Sequence, residues 1–189
     1  SGSGAIAKGT NTIAIGTGAT AAQISETSAR KKSRIIQDAF IDESGSNRRK
    51  RVDASLSDGS NLIAIGADSK AFGIDATAIA SNSLATGARS VAIGTSSATN
   101  SENAIAVGTA AEALNSDAVS IGTASEATGQ NSTTIGTEAS ATKTNSTAIG
   151  SSANAMSSNS YAIGTSSRAN GERAFAVGTG SSATAERSF

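Results

Sequence analysis

The chain contains no cysteine, proline, tryptophan or histidine, and aromatic residues make up only 3% of its 189 residues. Without cysteine it can form neither a disulfide framework nor a cysteine metal site. Without histidine, mechanisms that need an imidazole base or an imidazole zinc ligand are excluded. The formal net charge is zero, so the composition implies no bulk attraction to nucleic acid or to an anionic membrane. No apolar run approaches the roughly 20 residues of a membrane helix.

What the chain does have is a strict 14-residue repeat. Ile15 stands in phase with the repeat, but one repeat plus a long insertion separates it from Ile65. A period held this strictly predicts one small unit stacked on copies of itself. The isoleucine or valine of an Ala-Ile-Gly-like triplet recurs without a slip at Ile65, Ile79, Ile93, Val107, Ile121, Ile135, Ile149, Ile163 and Val177.

Each repeat predicts two short strands and two turns. The second turn carries a recurring asparagine or aspartate, at Asn103, Asp117, Asn131, Asn145 and Asn159. In one repeat, Val91 and Ile93 share one face of the first strand, and Gly94 ends it. Ser97 and Thr99 then form the inward face of the second strand, and the position between such pairs accepts charge in other repeats. Successive coils are expected to pair in parallel about 4.8 Å apart, which gives a rod of roughly 50 Å.

The triplet glycine has two possible purposes, a positive φ or a close approach between backbones. Ala80 replaces this glycine once. Because a left-handed alanine costs about 1 to 2 kcal/mol, this exception favours close approach.

Neither face of the first strand carries a charge in any repeat from residue 63 to residue 177. A strand that is apolar or small on both sides is covered on both sides, and a two-sided roll covers only one of them. The pattern therefore predicts a cyclic homo-oligomer, and it leaves open which face points to the axis and which into the roll. The large side chains predicted to form the oligomer contact or the roll core are Ile63, Ile65, Ile79, Val91, Ile93, Ile105, Val107, Val119, Ile121, Ile135, Ile149, Tyr161, Ile163, Phe175 and Val177.

The motif Asn145-Ser146-Thr147-Ala148-Ile149-Gly150 and its successor at residues 159–164 resemble the head repeats of trimeric autotransporter adhesins. The resemblance implies an all-β, left-handed parallel β-roll of three identical chains. It also implies an adhesin head on a Gram-negative outer membrane, held by a stalk and an anchor outside this sequence. Its expected partners are itself and host extracellular matrix proteins, cell-surface receptors or glycans. The expected division is residues 1–21 and 61–189 as roll coils, with residues 22–60 as a hairpin-like insert.

The insert holds eight of the fifteen basic residues of the chain. Two strands joined by a loop are expected there, with a helix as the alternative. Either this is a solvated loop, or it contributes to a surface that binds a host ligand or glycan. Its basic residues are Arg30, Lys31, Lys32, Arg34, Arg48, Arg49, Lys50 and Arg51.

No catalytic, cofactor-binding or metal-binding set is visible, so a non-enzymatic protein without cofactors is expected. The stretch from Gly178 to Ala183 imitates a dinucleotide-binding fingerprint, but we interpret it as a repeat glycine followed by a one-residue insertion. Two other functions compete with an adhesin head. One is a purely architectural spacer or phage-fibre-like segment. The other is an ice-binding solenoid, suggested by a file of threonines directly after the triplet glycine, at Thr17, Thr95, Thr109, Thr123, Thr137, Thr165 and Thr179.

Overall fold

The computed structural model describes residues 61–67 and 69–189, together with the backbone of four strands that precede them. Those four are β1 (Ile6–Lys8), β2 (Thr20–Ala22), β3 (Ile36–Gln37) and β4 (Arg51–Ala54). Every element in these described residues is a strand. The protein is therefore all-β in the part that the structure describes.

Each coil from residue 61 onward holds one strand of three residues and one of two. The three-residue strands are β5 (Ile63–Ile65), β7 (Thr77–Ile79), β9 (Val91–Ile93), β11 (Ile105–Val107), β13 (Val119–Ile121), β15 (Thr133–Ile135), β17 (Thr147–Ile149), β19 (Tyr161–Ile163) and β21 (Phe175–Val177). The two-residue strands are β6 (Lys70–Ala71), β8 (Leu84–Ala85), β10 (Ala98–Thr99), β12 (Glu112–Ala113), β14 (Glu126–Ala127), β16 (Ser140–Ala141), β18 (Asn154–Ala155), β20 (Arg168–Ala169) and β22 (Ser182–Ala183).

The two kinds of strand form two separate sheets, each with parallel pairing from coil to coil. The first sheet contains the nine strands β5 to β21, and the second contains β6 to β22 with β4 and β3 added at one end. Neighbouring strands pair residues one repeat apart, as Ile93 pairs with Val107. The predicted parallel roll of 14-residue coils is confirmed.

The register holds through the last coil, which corrects one expectation from the sequence. Arg168 pairs with Ser182 and Ala169 with Ala183, which is the same spacing as in the earlier coils. There is accordingly no one-residue insertion after Gly178. Gly180, with a φ of 67°, simply occupies the turn position that Ser166 fills one coil earlier.

Strands β1 to β4 are paired as well, and only one of the pairings described for them is antiparallel. β1 pairs in parallel with β2 at the spacing of one repeat. β3 pairs antiparallel with β4, and β4 pairs in parallel with β6 so that Asp53 lies opposite Lys70. The division into segments 1–21, 22–60 and 61–189 stays a prediction, since most of the first two segments lies outside the described residues.

The interior of the roll is built from alanine, serine and threonine. In the coil that ends at Ala113, the fully buried side chains are Ala104, Ala106, Ala111 and Ala113. The central residue of each three-residue strand therefore points into the roll, which settles the face that the sequence left open. Its two flanking large residues point outward.

Most serine hydroxyls in this interior are satisfied within their own turn, although the buried hydroxyl of Ser181 has no partner among the described residues. Ser97 donates to the carbonyl of Gly94 at 2.8 Å, and Ser90 donates to the carbonyl of Gly87 at 2.7 Å. Both bonds reach three residues back along the chain. Because a buried hydroxyl without a partner costs about 1 to 3 kcal/mol, these bonds make serine an acceptable substitute for alanine inside the roll.

Two left-handed residues turn the chain in each coil from Asp75 onward. One lies in the second turn, where the expected asparagine column adopts φ values near 56°, as in Asn103 and Asn145, and where Arg89 and Arg173 do the same. The other lies two residues after the triplet glycine and is occupied by residues as different as Ser96, Ala110 and Glu138. The sequence did not predict a left-handed residue two positions after the triplet glycine, because the residues that occupy this position share no turn preference.

The triplet glycine serves both of the purposes considered. Gly108 has a φ of 139°, and a Cβ added there would stand 2.4 Å from the carbonyl oxygen of Gly122 in the next coil. Ala80, the exception in this column, itself adopts a φ of 99°. Ala80 therefore does not argue against a positive φ in this column, although the sequence favoured close approach on its account.

Candidate functional surface

The large side chains of the first sheet lie outside the roll. We call the first residue of each three-residue strand the leading column and the third residue the trailing column. None of these residues belongs to the buried interior, and Ile121, Ile135 and Val177 remain 39%, 40% and 58% exposed. The alternative that they form the roll core is thus wrong for the single chain, because the roll is too thin to hold them beside its alanines. Their place in a contact between subunits stays a prediction.

An aromatic ladder continues the leading column at the C-terminal end. It consists of Tyr161, Phe175 and Phe189. The ring centroids of Tyr161 and Phe175 are 5.3 Å apart, and those of Phe175 and Phe189 are 6.1 Å apart. These separations fall in the range of favourable aromatic pairs, so the rings stack from coil to coil along the surface.

The outward face of the second sheet is polar and charged. Its column between the buried small residues contains Lys70, Glu112, Glu126 and Arg168, as the sequence predicted, with Leu84 and Ala98 among them. Glu112 lies directly opposite Glu126 in the register. This face is therefore suited to water and differs sharply from the uncharged face of the first sheet.

A ladder of side-chain hydrogen bonds runs along the second turn. Asn103 donates to Asp117 at 2.9 Å, and Asn145 donates to Asn159 at 3.2 Å, each across one coil. Arg89 donates to Asn103 at 2.9 Å and forms an ion pair with Glu102. Since these side chains are exposed, each contact contributes little to stability. Together the side chains form a strip of amides and charges along the second turn.

The threonine file forms a single exposed row in the first turn. Its members from Thr95 to Thr179 are exposed, whereas Thr17 lies outside the described residues. The file stands at a turn beside the left-handed residues, so it forms a narrow edge and not a flat face. The geometry adds nothing to the ice-binding interpretation.

Most of the predicted basic cluster lies outside the described residues. This applies to Arg30, Lys31, Lys32, Arg34, Arg48, Arg49 and Lys50, whereas Arg51 belongs to β4, of which only the backbone is described. Among the residues that the structure does describe, no three acidic side chains come close enough together to hold a metal ion. The same residues contain no helix long and apolar enough to cross a membrane.

A fourth interior position was missed by the sequence interpretation. It is the residue just before each first strand, which is buried in every coil from Ala76 to Ala174, as in Ala104, Ala118 and Ser132. The signal was present, because this column contains only alanine and serine from residue 76 to residue 188. The predicted first strand begins one residue later, but the alternation that turns Ala106 inward also turns Ala104 inward.

These features define a repeat protein of the parallel β-roll class, with an alanine interior, one uncharged apolar outer face and one polar outer face. The family model described as the YadA head domain repeat matches residues 1–24, 59–79, 81–97, 85–111, 100–125, 113–139, 127–153, 157–181 and 169–189. The chain therefore belongs to the family of YadA head domain repeats.

One similar solved structure is the crystal structure of the collagen-binding domain of the Yersinia adhesin YadA. The TM-score is 0.49 and the sequence identity is 22%, and the match covers 69% of this chain and 80% of that chain. No curated protein gives a significant match.

Proposed function

We propose that this chain is the head of a bacterial surface adhesin that acts as a homotrimer and attaches to host extracellular matrix or host cells through many weak contacts. The proposal rests on membership of the YadA head repeat family. The single structural observation that carries it is the uncharged apolar face outside an already complete roll. The protein is accordingly a binding module without catalytic residues or cofactors, displayed outside the cell at the outer membrane.

Copies of the same chain are the partners that fit the first sheet. Its leading and trailing columns present side chains such as Ile93, Val107 and Ile121, of which Ile121 is 39% exposed. Burying one such side chain is worth roughly 1.5 to 3 kcal/mol. A surface ladder that repeats about every 4.8 Å over nine coils is matched in register by another chain with the same repeat. Closed symmetry around one axis then covers the face of every copy.

The second sheet and the turns remain for the ligand in such an assembly. They carry the outward residues Lys70, Glu112 and Arg168 and the amide ladder through Asn145. No deep pocket is needed, because three copies of an extended surface add weak contacts by avidity. The basic insert, residues 22–60, contributes to the same ligand surface in this proposal.

Direct binding measurements test the adhesin function. The full chain is applied to immobilised collagen, fibronectin and laminin, and to epithelial cells, and light scattering gives its mass in parallel. We expect a trimer that binds at least one of these targets. A trimer that binds none of them is an architectural spacer, and that result overturns the adhesin proposal while leaving the assembly intact.

The role of the insert has its own test. Replacing Arg48, Arg49, Lys50 and Arg51 by glutamine removes four positive charges from the insert. We expect weaker binding to cells and to heparin, more so at low salt, because exposed charges are screened by ions. Unchanged binding means that the insert is only a solvated loop.

A further inference from the structure

The leading column changes character along the rod. From the N-terminal side it begins with Ile63, Thr77 and Val91, and it ends in the aromatic ladder of Tyr161, Phe175 and Phe189. Aromatic side chains bury more area than any other apolar residues and gain additional energy from ring pairing. Tyr161 is 38% exposed although Phe175 packs beside it, so the coils from residue 161 onward hold the largest apolar side chains of this column.

A polar zone separates this end from the coils before it. On the outside, the leading column contains two successive threonines, Thr133 and Thr147. On the inside, Thr134 donates to Ser120 at 3.0 Å, and the hydroxyls of Ser120 and Ser125 are 2.7 Å apart. Both surfaces of the first sheet are therefore less apolar here than in the neighbouring coils.

The buried interior continues through the C-terminal coils. Its alanines run from Ala139 to Ala183, and Ala127 of the preceding coil lies directly opposite Ala141 in the parallel register. Residues 139–189 thus combine a continuous interior with the aromatic ladder on the outside.

We propose that the aromatic ladder is the first contact that copies of this chain make with each other, so that assembly begins at residues 139–189 and proceeds towards the N-terminal coils. This inference rests on the proposed homotrimer. The partner that covers the ladder is a second copy of the chain. A copy carries the same rings at the same spacing, and no charge in either column opposes their contact. Once these coils are joined, each preceding coil adds to a template already in place, as in other repeat arrays.

The test compares association and dissociation rates of full-length variants, measured by light scattering after dilution from denaturant and after dilution of the assembled protein. The ladder variant is Y161T/F175T, and the matched control is V91T/I105T in the same column. Both introduce the threonine that this column already accepts at Thr77 and Thr133. We expect the ladder variant to associate at least about tenfold more slowly. The control should associate within about twofold of the normal rate and dissociate faster. Interactions that form after the rate-limiting step affect mainly the dissociation rate.

The outcomes are distinguishable. If the control slows association as much as the ladder variant, or if the ladder variant associates at the normal rate, the inference is wrong although the trimer stands. If the unmodified chain is monomeric at micromolar concentration, the proposed trimer itself fails. Should Y161T/F175T not fold, Y161V/F175V keeps apolar strand-forming residues at both positions and allows the same comparison of rates.

Discussion

At the scale of the residue, the roll depends on backbone conformations that most side chains avoid. Successive coils place non-glycine residues at positive φ, near 55° in the turns. Asparagine and aspartate tolerate this conformation because their side chains bond locally. Alanine has no such compensation, yet it stands at this position in two successive coils, as Ala110 with a φ of 54° and Ala124 with a φ of 52°.

Replacing Ala110 by glycine should therefore stabilise the protein. Relief of the left-handed alanine, which costs about 1 to 2 kcal/mol, outweighs the greater backbone entropy that glycine loses on folding, about 0.5 to 1 kcal/mol. We expect a gain of roughly 0.5 to 1 kcal/mol, measured as a higher denaturant midpoint. The matched control is A98G in strand β10, where only the entropy loss applies and the midpoint should fall. A fall for both variants contradicts the prediction.

Replacing a triplet glycine by alanine should lower the stability of the protein. In G108A the new methyl group meets the carbonyl of Gly122 at 2.4 Å, and a φ of 139° is almost restricted to glycine. We expect a loss of more than about 2 kcal/mol in thermal or denaturant unfolding. G180A is the control, because no atom lies within 4 Å of its added Cβ, and only the left-handed cost of about 1 kcal/mol remains. Equal losses in the two variants mean that close approach contributes nothing.

Residue identity predicted one of the two left-handed positions in each coil. The asparagine column was recognised because asparagine and aspartate are turn residues. The other column was not, because it contains serine, alanine and glutamate, which follow no turn preference. There the stacking of the coils, and not local propensity, imposes the conformation, so a single sequence gives no sign of it.

At the scale of the element, the coil is defined by how little space it encloses. Each central residue of a first strand from Ala78 onward is small and buried, as Ala92, Ala106 and Ala148 are. Close-packed interiors do not accept extra methylene groups without strain. The thin interior explains why larger residues point outward even though that leaves them without cover in the single chain.

Enlarging one of these alanines tests that explanation. We expect A148L to lower stability by roughly 1 to 3 kcal/mol, because the added carbons have no room between the two sheets. A98L is the control, since Leu84 already occupies the neighbouring position of the same outward column, and it should change stability by less than about 0.5 kcal/mol. Circular dichroism during thermal unfolding measures both. An unchanged A148L would show that the interior has spare volume.

The strands themselves were predictable from the sequence, but the direction of their faces was not. Alternation and the strict period placed strands at Val91–Ile93 and at Ala98–Thr99. Both faces of the first strand lack charge, however, so polarity could not distinguish inside from outside. The direction follows from the thin interior, which holds alanine, serine and threonine and leaves no room for isoleucine or valine.

At the scale of the whole molecule, the two outer faces should respond differently to the same change. We expect I121K to abolish assembly, because it buries a charge in the proposed subunit contact without a partner. S140K adds the same charge on the second sheet, in the column where Lys70 stands, and should leave the assembly unchanged. Light scattering gives the mass, and circular dichroism shows whether each variant retains its strands. Assembly that survives I121K places the subunit contact elsewhere.

The unbroken register has a consequence for how such a protein can vary its size. Because each coil pairs with the next in the same way from Ile63 to Ala183, removing or adding one whole coil in the middle leaves every remaining junction unchanged. Such an edit alters the reach of the molecule by about 4.8 Å and nothing else. A deletion that falls a single position short of a whole coil would, by contrast, turn alanines outward and isoleucines inward. Gain or loss of whole repeats in the gene therefore changes the distance between the two ends of the molecule in fixed steps.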